Sequence, residues 1–370
     1  MLTNPDEHEM YKKKMIKSAN MQALAQYREQ LREHPKLTQL FVELTDTCNM
    51  NCRHCGSRCS QANERFIDTN LLIRTLETVS EDFDPFSVMI CFTGGEPLLH
   101  PDFLKIVRET VRLGFPWGIT TNGMLISEKT GLEMKKLGLQ SITISLDGLE
   151  EMHDWFRNQR GCFQKTVHVI EMMNRIGIPV QITTVVHKKN IGQLEDLYLF
   201  LCGLDIISWR IINMEPIGRA KEVQDLFLTK QEFQQMLDFI RDKRFSRETV
   251  MDVCFGCSHY LSFEYEHEVR DFYFLCIAGI CVASILCNGD IYSCLDIERR
   301  PDWIQGNIGH DRFGDVWRNR FQQFRMNRTE LSSLCRECEE KEFCNADSLH
   351  TWDFDKEEPM FCYLKDYYGG

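Results

Sequence analysis

Three cysteines, Cys48, Cys52 and Cys55, stand in a C-x3-C-x2-C run directly after a β-prone segment. Three thiolates this close can grip one metal cluster, and three leave one corner of a cubane free. A structural zinc site wants four ligands in a closed tetrahedron. Cys59 supplies a fourth by arithmetic alone, although paired C-x2-C knuckles are the usual zinc pattern. The chain holds 17 cysteines in 370 residues, ten of them in the last 117. The N-terminus lacks the apolar core of an export signal, so a cytoplasmic location and metal or redox chemistry are expected rather than disulfides.

Polar residues recur at the ends of other β-prone runs. Thr93-Gly94-Gly95-Glu96-Pro97 follows one, Thr120-Thr121-Asn122-Gly123 a second and Ser145-Leu146-Asp147-Gly148 a third. Paired glycines let a backbone approach a ligand, and Glu96 can pair with an ammonium group. Alone, each is an ordinary turn. Further on, Cys276-x4-Cys281 precedes Val282–Leu286, and Asn288-Gly289 separates that run from Ile291–Cys294, a hairpin signal. Cys335-x2-Cys338-x5-Cys344 and Cys362 complete the set.

The elements that must position these residues follow a regular pattern. Strands are expected at Leu40–Leu44, Val88–Thr93, Gly118–Thr121, Ser141–Leu146, Val180–Val186 and Trp209–Met214. Helices are expected at Asn70–Val79, Pro101–Leu113, Glu128–Leu137, Gln164–Ile176, Gln193–Gly203 and Lys230–Arg241. Six strands separated by helices read as a parallel α/β sheet, an open or partial barrel whose active site collects at the strands' C-terminal ends. The division expected is a helical segment over 1–37, a partial (β/α)6 TIM-like barrel over 38–245, and a small cysteine-rich domain with a β-hairpin over 246–370. No apolar run is long enough for a membrane helix, and a net charge of −12 argues against a nucleic-acid binder.

Cys48, Cys52 and Cys55 after the first strand resemble the signature of the radical S-adenosylmethionine (SAM) superfamily. His54 stands where that motif usually has an aromatic residue. The resemblance implies a [4Fe–4S] cluster on these cysteines that binds SAM and cleaves it to a 5′-deoxyadenosyl radical. Gly94, Gly95 and Glu96 resemble the family's GGEP motif, and Asn122, Ser145, Asp147, Arg157 and Met214 its other SAM-contact positions. The C-terminal cysteines resemble the SPASM auxiliary-cluster extension, and Pro216-Ile-Gly218-Arg219-Ala220 the run that precedes it. This implies two further [4Fe–4S] clusters. Cys335, Cys338, Cys344 and Cys362 make a complete set; Cys276, Cys281 and Cys294 lack a fourth ligand, because Ser348 stands where the pattern has cysteine. Asp347, Ser348, His350, Cys287, Cys254, Cys257 or an open iron are the alternatives. Cys91, Cys162 and Cys202 read as buried small hydrophobes.

The resemblance implies a peptide or protein maturase forming a thioether, another crosslink or an oxidation, with a flavodoxin- or ferredoxin-type electron donor in an anaerobic cytoplasm. The alternatives are a small-molecule enzyme acting on a tetrapyrrole or alcohol, and a sulfatase formylglycine maturase. The latter branch has an aspartate directly after the cysteine equivalent to Cys294; here Leu295 follows and Asp296 comes one later. Asp296, Glu215 and Tyr292 are the candidate acid–base residues. Residues 1–36 are too short for a complete leader-recognition domain, so a separate partner or direct recognition by the barrel is required, and this segment is expected to cap the barrel mouth.

Overall fold

The computed structural model describes residues 5–246, 251–257, 259–271, 276–346 and 348–364, with the side chains of 5–13 excepted. Asp347, one alternative for the missing ligand, lies outside the described residues.

Short runs rich in β-branched and aromatic residues form β1 (Gln39–Glu43), β2 (Met89–Thr93), β3 (Trp117–Thr121), β4 (Ser141–Ser145), β5 (Val180–Val186) and β6 (Ser208–Asn213), all parallel and in sequence order. Along most of them, fully buried residues alternate with half-buried ones, because both faces are covered. The chain begins with α1 (Pro5–Glu33). The intervening helices are α2 (Thr69–Asp82), α3 (Phe103–Arg112), α4 (Glu128–Lys136), α5 (Glu150–Arg157), α6 (Cys162–Arg175) and α7 (Leu194–Cys202), and α8 (Lys230–Phe245) follows β6. Leu72, Leu76 and Val79 of α2 line one face at helical spacing and are fully buried, which fixes how it lies on the sheet. Asp68 caps α2, Ser127 caps α4, and Thr229 with Glu232 forms a capping box on α8.

The sheet extends beyond the six expected strands on both sides. β7 (Asp252–Phe255) adds a seventh parallel strand beside β6, so the alternation runs past the boundary set at 245. On the other side the expected hairpin forms as β8 (Val282–Ile285) and β9 (Asp290–Tyr292), followed by β10 (Gly306–Asn307). β8 pairs in parallel with β1, Gln39 opposite Val282, so the C-terminal hairpin is built onto the barrel's own first strand. A separate pair, β11 (Trp352–Asp353) and β12 (Glu358–Pro359), lies near the C-terminus.

Among the described residues, the polar side-chain contacts of α1 with the rest of the molecule run to the C-terminal part, as where Lys17 meets Glu264 and Glu268. Arg28, 1% exposed, donates to the Glu342 and Phe343 carbonyls at 2.7 and 2.6 Å, and Glu29 accepts from Asn345. The segment expected as a mouth cap therefore docks on the cysteine-rich C-terminal part. No helix among the described residues is long and apolar enough to cross a membrane.

Candidate active site

The loop after β1 carries Cys48, Cys52 and Cys55 at the sheet's C-terminal end. Cys48, Cys52, Cys59 and Cys162 form one buried cluster against which Cys55 packs. Cys162, read from the sequence as an ordinary core residue, thus abuts the first thiol group, while Cys91 and Cys202 are half-buried rather than buried. Two glycine contacts explain the loop's position. At Gly95, a Cβ would stand 2.1 Å from the Thr47 carbonyl oxygen and 3.0 Å from Cys48 Cβ. Gly95 and Glu96 N–H groups bond to the Thr45 and Thr47 carbonyls at 2.7 and 3.0 Å. The paired glycines thus admit the cysteine loop itself.

A second clamp comes from the Pro216–Ala220 run. Gly218 has φ +59°, and a Cβ there would lie 2.1 Å from the Gly56 carbonyl oxygen. Arg219 donates its backbone N–H to the Cys55 carbonyl at 3.0 Å, Nε to that of Cys52 at 2.8 Å and Nη2 to that of Cys59 at 2.8 Å. The sequence marked this run only by resemblance; its work is to fix the backbone of the cysteine loop.

The thiols suit an iron–sulfur cluster in chemistry and surroundings. Burial pushes the Cys48 thiol up to about 12 and raises that of Cys52 against the pull of Arg157. The hydrogen bond from Cys59, aided by Arg219, holds Cys55 below its ordinary value. Asn122 Nδ2 and Arg157 Nη1 each stand 3.8 Å from a sulfur, of Cys48 and Cys52 respectively, so N–H donors already face the atoms that become thiolates on metal binding. His54 stacks on Phe156 at 4.0 Å, its buried Nδ1 without a hydrogen-bond partner.

The strand-end residues divide. Glu96 is fully buried and accepts from Thr121 Oγ1 at 2.8 Å and from Asn122 N–H at 2.9 Å; burial pushes its carboxyl up to about 7 against those bonds. Ser145 ends β4, half-buried. Asp147 faces inward rather than toward a ligand. Its carboxylate pairs with Arg157 Nε and accepts from Val185 N–H, because both are buried and each needs a partner. Met214 lies just past β6 beside Phe156.

A cavity of about 280 Å³ joins the two halves of the molecule. Cys55, His54 and Gly94 line it from the barrel, Met214, Glu215 and Cys257 from the ends of β6 and β7, and Asp296 and His350 from the C-terminal part. A neighbouring cavity of about 340 Å³ shares Asn213, Met214 and Glu215 and runs out to Lys221, Phe361 and β11–β12. Glu215 stands 3.5 Å from His259 Nδ1 and 3.4 Å from His350 Nδ1. Burial pushes its carboxyl up, but the two imidazoles prevail and hold it down to about 2. Sequence reasoning missed His259, which carries no spacing signal. Tyr292 is not part of this site. It lines a separate cavity with Glu43, Arg65, Cys287 and Arg299, and its hydroxyl accepts from Arg300 N–H at 2.7 Å while lying 3.0 Å from the Glu298 carbonyl.

Of the C-terminal cysteines, Cys335, Cys344 and Cys362 line one small cavity of about 50 Å³ together with Ser348; Cys338 is not among its walls. Cys276 and Cys281 flank a tight turn in which the Cys281 N–H bonds to the Ile277 carbonyl at 2.8 Å. The antiparallel pairing of Tyr292 with Ser284 sends Cys294 back toward that turn.

Buried thiols on a strand-end loop of a parallel barrel, with a second thiol-rich part closing the cavity, define the class. The radical SAM superfamily matches residues 42–201, and the SPASM iron-sulfur cluster-binding domain matches residues 276–339. The chain is a radical SAM enzyme with a SPASM domain, and its chemistry is of the oxidoreductase type. It is 27% identical over 334 residues to an AdoMet-dependent heme synthase of Oleidesulfovibrio alaskensis, covering 84% of this chain and 82% of that protein. In fold it is similar to Streptococcus suis SuiB bound to the precursor peptide SuiA, with TM-score 0.65, 20% identity, and 93% and 77% of the two chains covered. It is similar also to anSMEcpe with bound AdoMet and the Kp18Cys peptide, with TM-score 0.71, 17% identity, and 90% and 95% covered.

Proposed function

We propose that this enzyme oxidises or crosslinks a residue of a ribosomal peptide or protein. Cys48, Cys52 and Cys55 hold the SAM-binding [4Fe–4S] cluster. Cys276, Cys281 and Cys294 belong to a first auxiliary cluster, and Cys335, Cys338, Cys344 and Cys362 to a second. Bound there, the clusters supply electron transfer and the reductive cleavage of SAM to a 5′-deoxyadenosyl radical. Glu96 receives the ammonium of SAM, Gly94, Gly95 and Asn122 shape the approach to it, and Ser145 and Met214 border it. Arg157, anchored by Asp147, steadies Cys52. Hydrogen abstraction followed by loss of one electron also releases a proton, for which Glu215 and Asp296 face the cavity.

The observation that carries the peptide reading is the charge of the walls. Glu215, Asp296, Asp353 and Glu358 face the two cavities against Arg210, Lys221, Lys356 and His350, whose imidazole, against the effect of burial, Cys294 and Glu215 raise well above its ordinary value. Lys221 already pairs with Glu298 at 2.5 Å, and Lys356 with Asp353 at 3.7 Å. The walls hold as many carboxylates as cations, and Lys221, Lys356 and His350 are already paired, so a disc-shaped polycarboxylate finds no surplus of positive charge there, whereas a peptide of mixed charge is matched. Kinship with the heme synthase supports a second reading, a tetrapyrrole substrate. The test is to supply reconstituted enzyme with SAM, a reductant and either short peptides encoded beside its gene or iron porphyrin carboxylates. A mass change in a peptide, matched to 5′-deoxyadenosine release, is expected. Porphyrin turnover with inert peptides overturns the proposal.

A further inference from the structure

We propose that an acidic flavodoxin docks on the face of the cysteine loop marked by Arg53, Trp155 and Lys189, and delivers there the electron that reduces the cluster of Cys48, Cys52 and Cys55. The inference rests on the SAM-cluster reading of those three cysteines and not on the nature of the substrate.

The chain carries a net charge of −12, yet this face is positive. Arg53 directly follows Cys52. Its guanidinium carbon stands 5.0 Å from the centre of a Trp155 ring, and Lys189 Nζ stands 4.3 Å from the same residue's ring centre. Two cations thus share one half-buried tryptophan. Arg53 Nε donates to the Trp155 carbonyl at 3.0 Å, which holds the side chain there. Lys188 and Lys189 are both exposed just past β5. Among the described residues, no carboxylate pairs with Arg53, Lys188 or Lys189. The carboxylate of Asp154, next to Trp155 in the chain, accepts from the Phe163 N–H at 2.9 Å, and Glu222 pairs with Arg58 at 2.6 Å. Asp225 is exposed beside Leu226, whose carbonyl accepts from the Lys188 N–H at 3.0 Å, a single negative charge against three positive ones.

A short stack of rings joins this face to the cysteine loop. Trp155 stacks on Phe156 at 6.1 Å, and Phe156 on His54, which stands between Cys52 and Cys55 in the chain, at 4.0 Å. The Arg53 N–H bonds to the Phe156 carbonyl at 3.1 Å. The C-terminal thiols have the opposite surroundings. Glu337, Glu339 and Glu342, all exposed, stand beside Cys335, Cys338 and Cys344 in the chain, and they outnumber Arg336 and Lys341, the first of which pairs with Glu330 at 3.3 Å. An acidic carrier is therefore drawn to the first site and repelled from the second. Electron-transfer contacts are small and transient, so a few cations around one aromatic ring suffice for recognition. A tryptophan at the centre suits a carrier whose own redox group shows an aromatic edge at its surface, as the flavin of a flavodoxin does. One electron crosses: the flavin hydroquinone anion becomes the neutral semiquinone, and the cluster gains that electron.

The experiment uses the full-length reconstituted enzyme with SAM and a photoreduced acidic flavodoxin. It reads 5′-deoxyadenosine release against flavodoxin concentration, with dithionite as the small-molecule control. Lys188→Glu combined with Lys189→Glu is expected to raise the flavodoxin concentration for half-maximal rate about tenfold, and Arg53→Glu by a similar factor. Dithionite-driven release stays at the parent's rate in both, and the difference from the parent shrinks as salt is added. An unchanged flavodoxin dependence in the lysine variant, or a loss that salt does not touch, overturns the proposal, as does an enzyme served only by a ferredoxin. A parent that releases no 5′-deoxyadenosine with dithionite overturns the SAM-cluster reading itself. Because Arg53 also bonds to the Trp155 and Phe156 carbonyls, the exposed lysine pair decides if Arg53→Glu does not fold.

Discussion

At the barrel mouth, the cysteine loop is held by the fold itself. Thr45, Thr47, Cys52, Cys55 and Cys59 carbonyls all accept from Gly95, Glu96 or Arg219. In the C-terminal part, Cys335 and Cys344 sit on four-residue helices, and Cys362 follows the two-residue strand β12. None of these four-residue helices is long enough to be stable by itself. On the cluster assignment proposed above, the difference implies a first site that is prebuilt to receive its cluster and a second that would depend on its metal for much of its order, as small thiol-rich domains do.

The largest expected effect tests the first half of that contrast. Replacing Cys48, Cys52 and Cys55 together by Ala should abolish SAM cleavage while the protein keeps about eight of about twelve iron atoms. Its thermal unfolding should change little, because the loop's backbone bonds remain. Loss of the folded barrel in this variant would break the comparison. Next in size, Cys335→Ala with Cys344→Ala should leave SAM cleavage measurable but open the segment from about residue 330 onward to protease. Limited proteolysis of the anaerobic proteins reads this directly, and equal resistance in the triple and the double variant would argue against a metal-dependent C-terminal part.

The same contrast decides what the sequence revealed. The six parallel strands are short β-branched runs followed by polar motifs, so both the strands and the residues at their C-terminal ends were legible. β7 was not: four residues beginning with the exposed Asp252 follow a charged stretch, and only pairing with β6 makes them a strand. The parallel pairing of β8 with β1 joins residues more than 200 positions apart and leaves no local trace. Tyr292 misled because it is near Cys294 in sequence, yet β9 ends at Tyr292 and the turn that follows carries Leu295 and Asp296 into a different cavity. Arg219 and His350 act through what they touch, Cys55 and Glu215, and a lone basic residue carries no spacing to announce that.

Arg157 offers a sharper test of the prebuilt site. Arg157 is 8% exposed, and its guanidinium lies between the fully buried Asp147 and Cys52. Arg157→Ala leaves Asp147 as a buried, unpaired carboxylate, a loss of about 3–5 kcal/mol. Denaturant unfolding should register that in the unloaded protein as well as in the loaded one. If the loss appears only with iron bound, Arg157 serves the cluster and not the fold. By comparison, Arg28→Ala strips donors from two carbonyls under α1 and should cost about 1–3 kcal/mol, read as earlier proteolysis of the 340s segment.

The smallest effect concerns Glu96 and has a definite sign. Burial pushes its carboxyl up to about 7, from an ordinary value of about 4.3 when unfolded. Between those values the folded protein binds more protons than the unfolded chain, so stability without SAM should fall as pH rises through that window. The ammonium of SAM reverses the balance by giving the ionised carboxylate a partner. SAM affinity should therefore weaken below pH 7, by up to about tenfold per pH unit, and the dependence should vanish in Glu96→Gln. Calorimetric titration of the loaded enzyme with SAM between pH 5.5 and 8 measures this directly. A slope that survives in Glu96→Gln would assign the ammonium to another group and leave Glu96 its bonds to Leu98, Thr121 and Asn122.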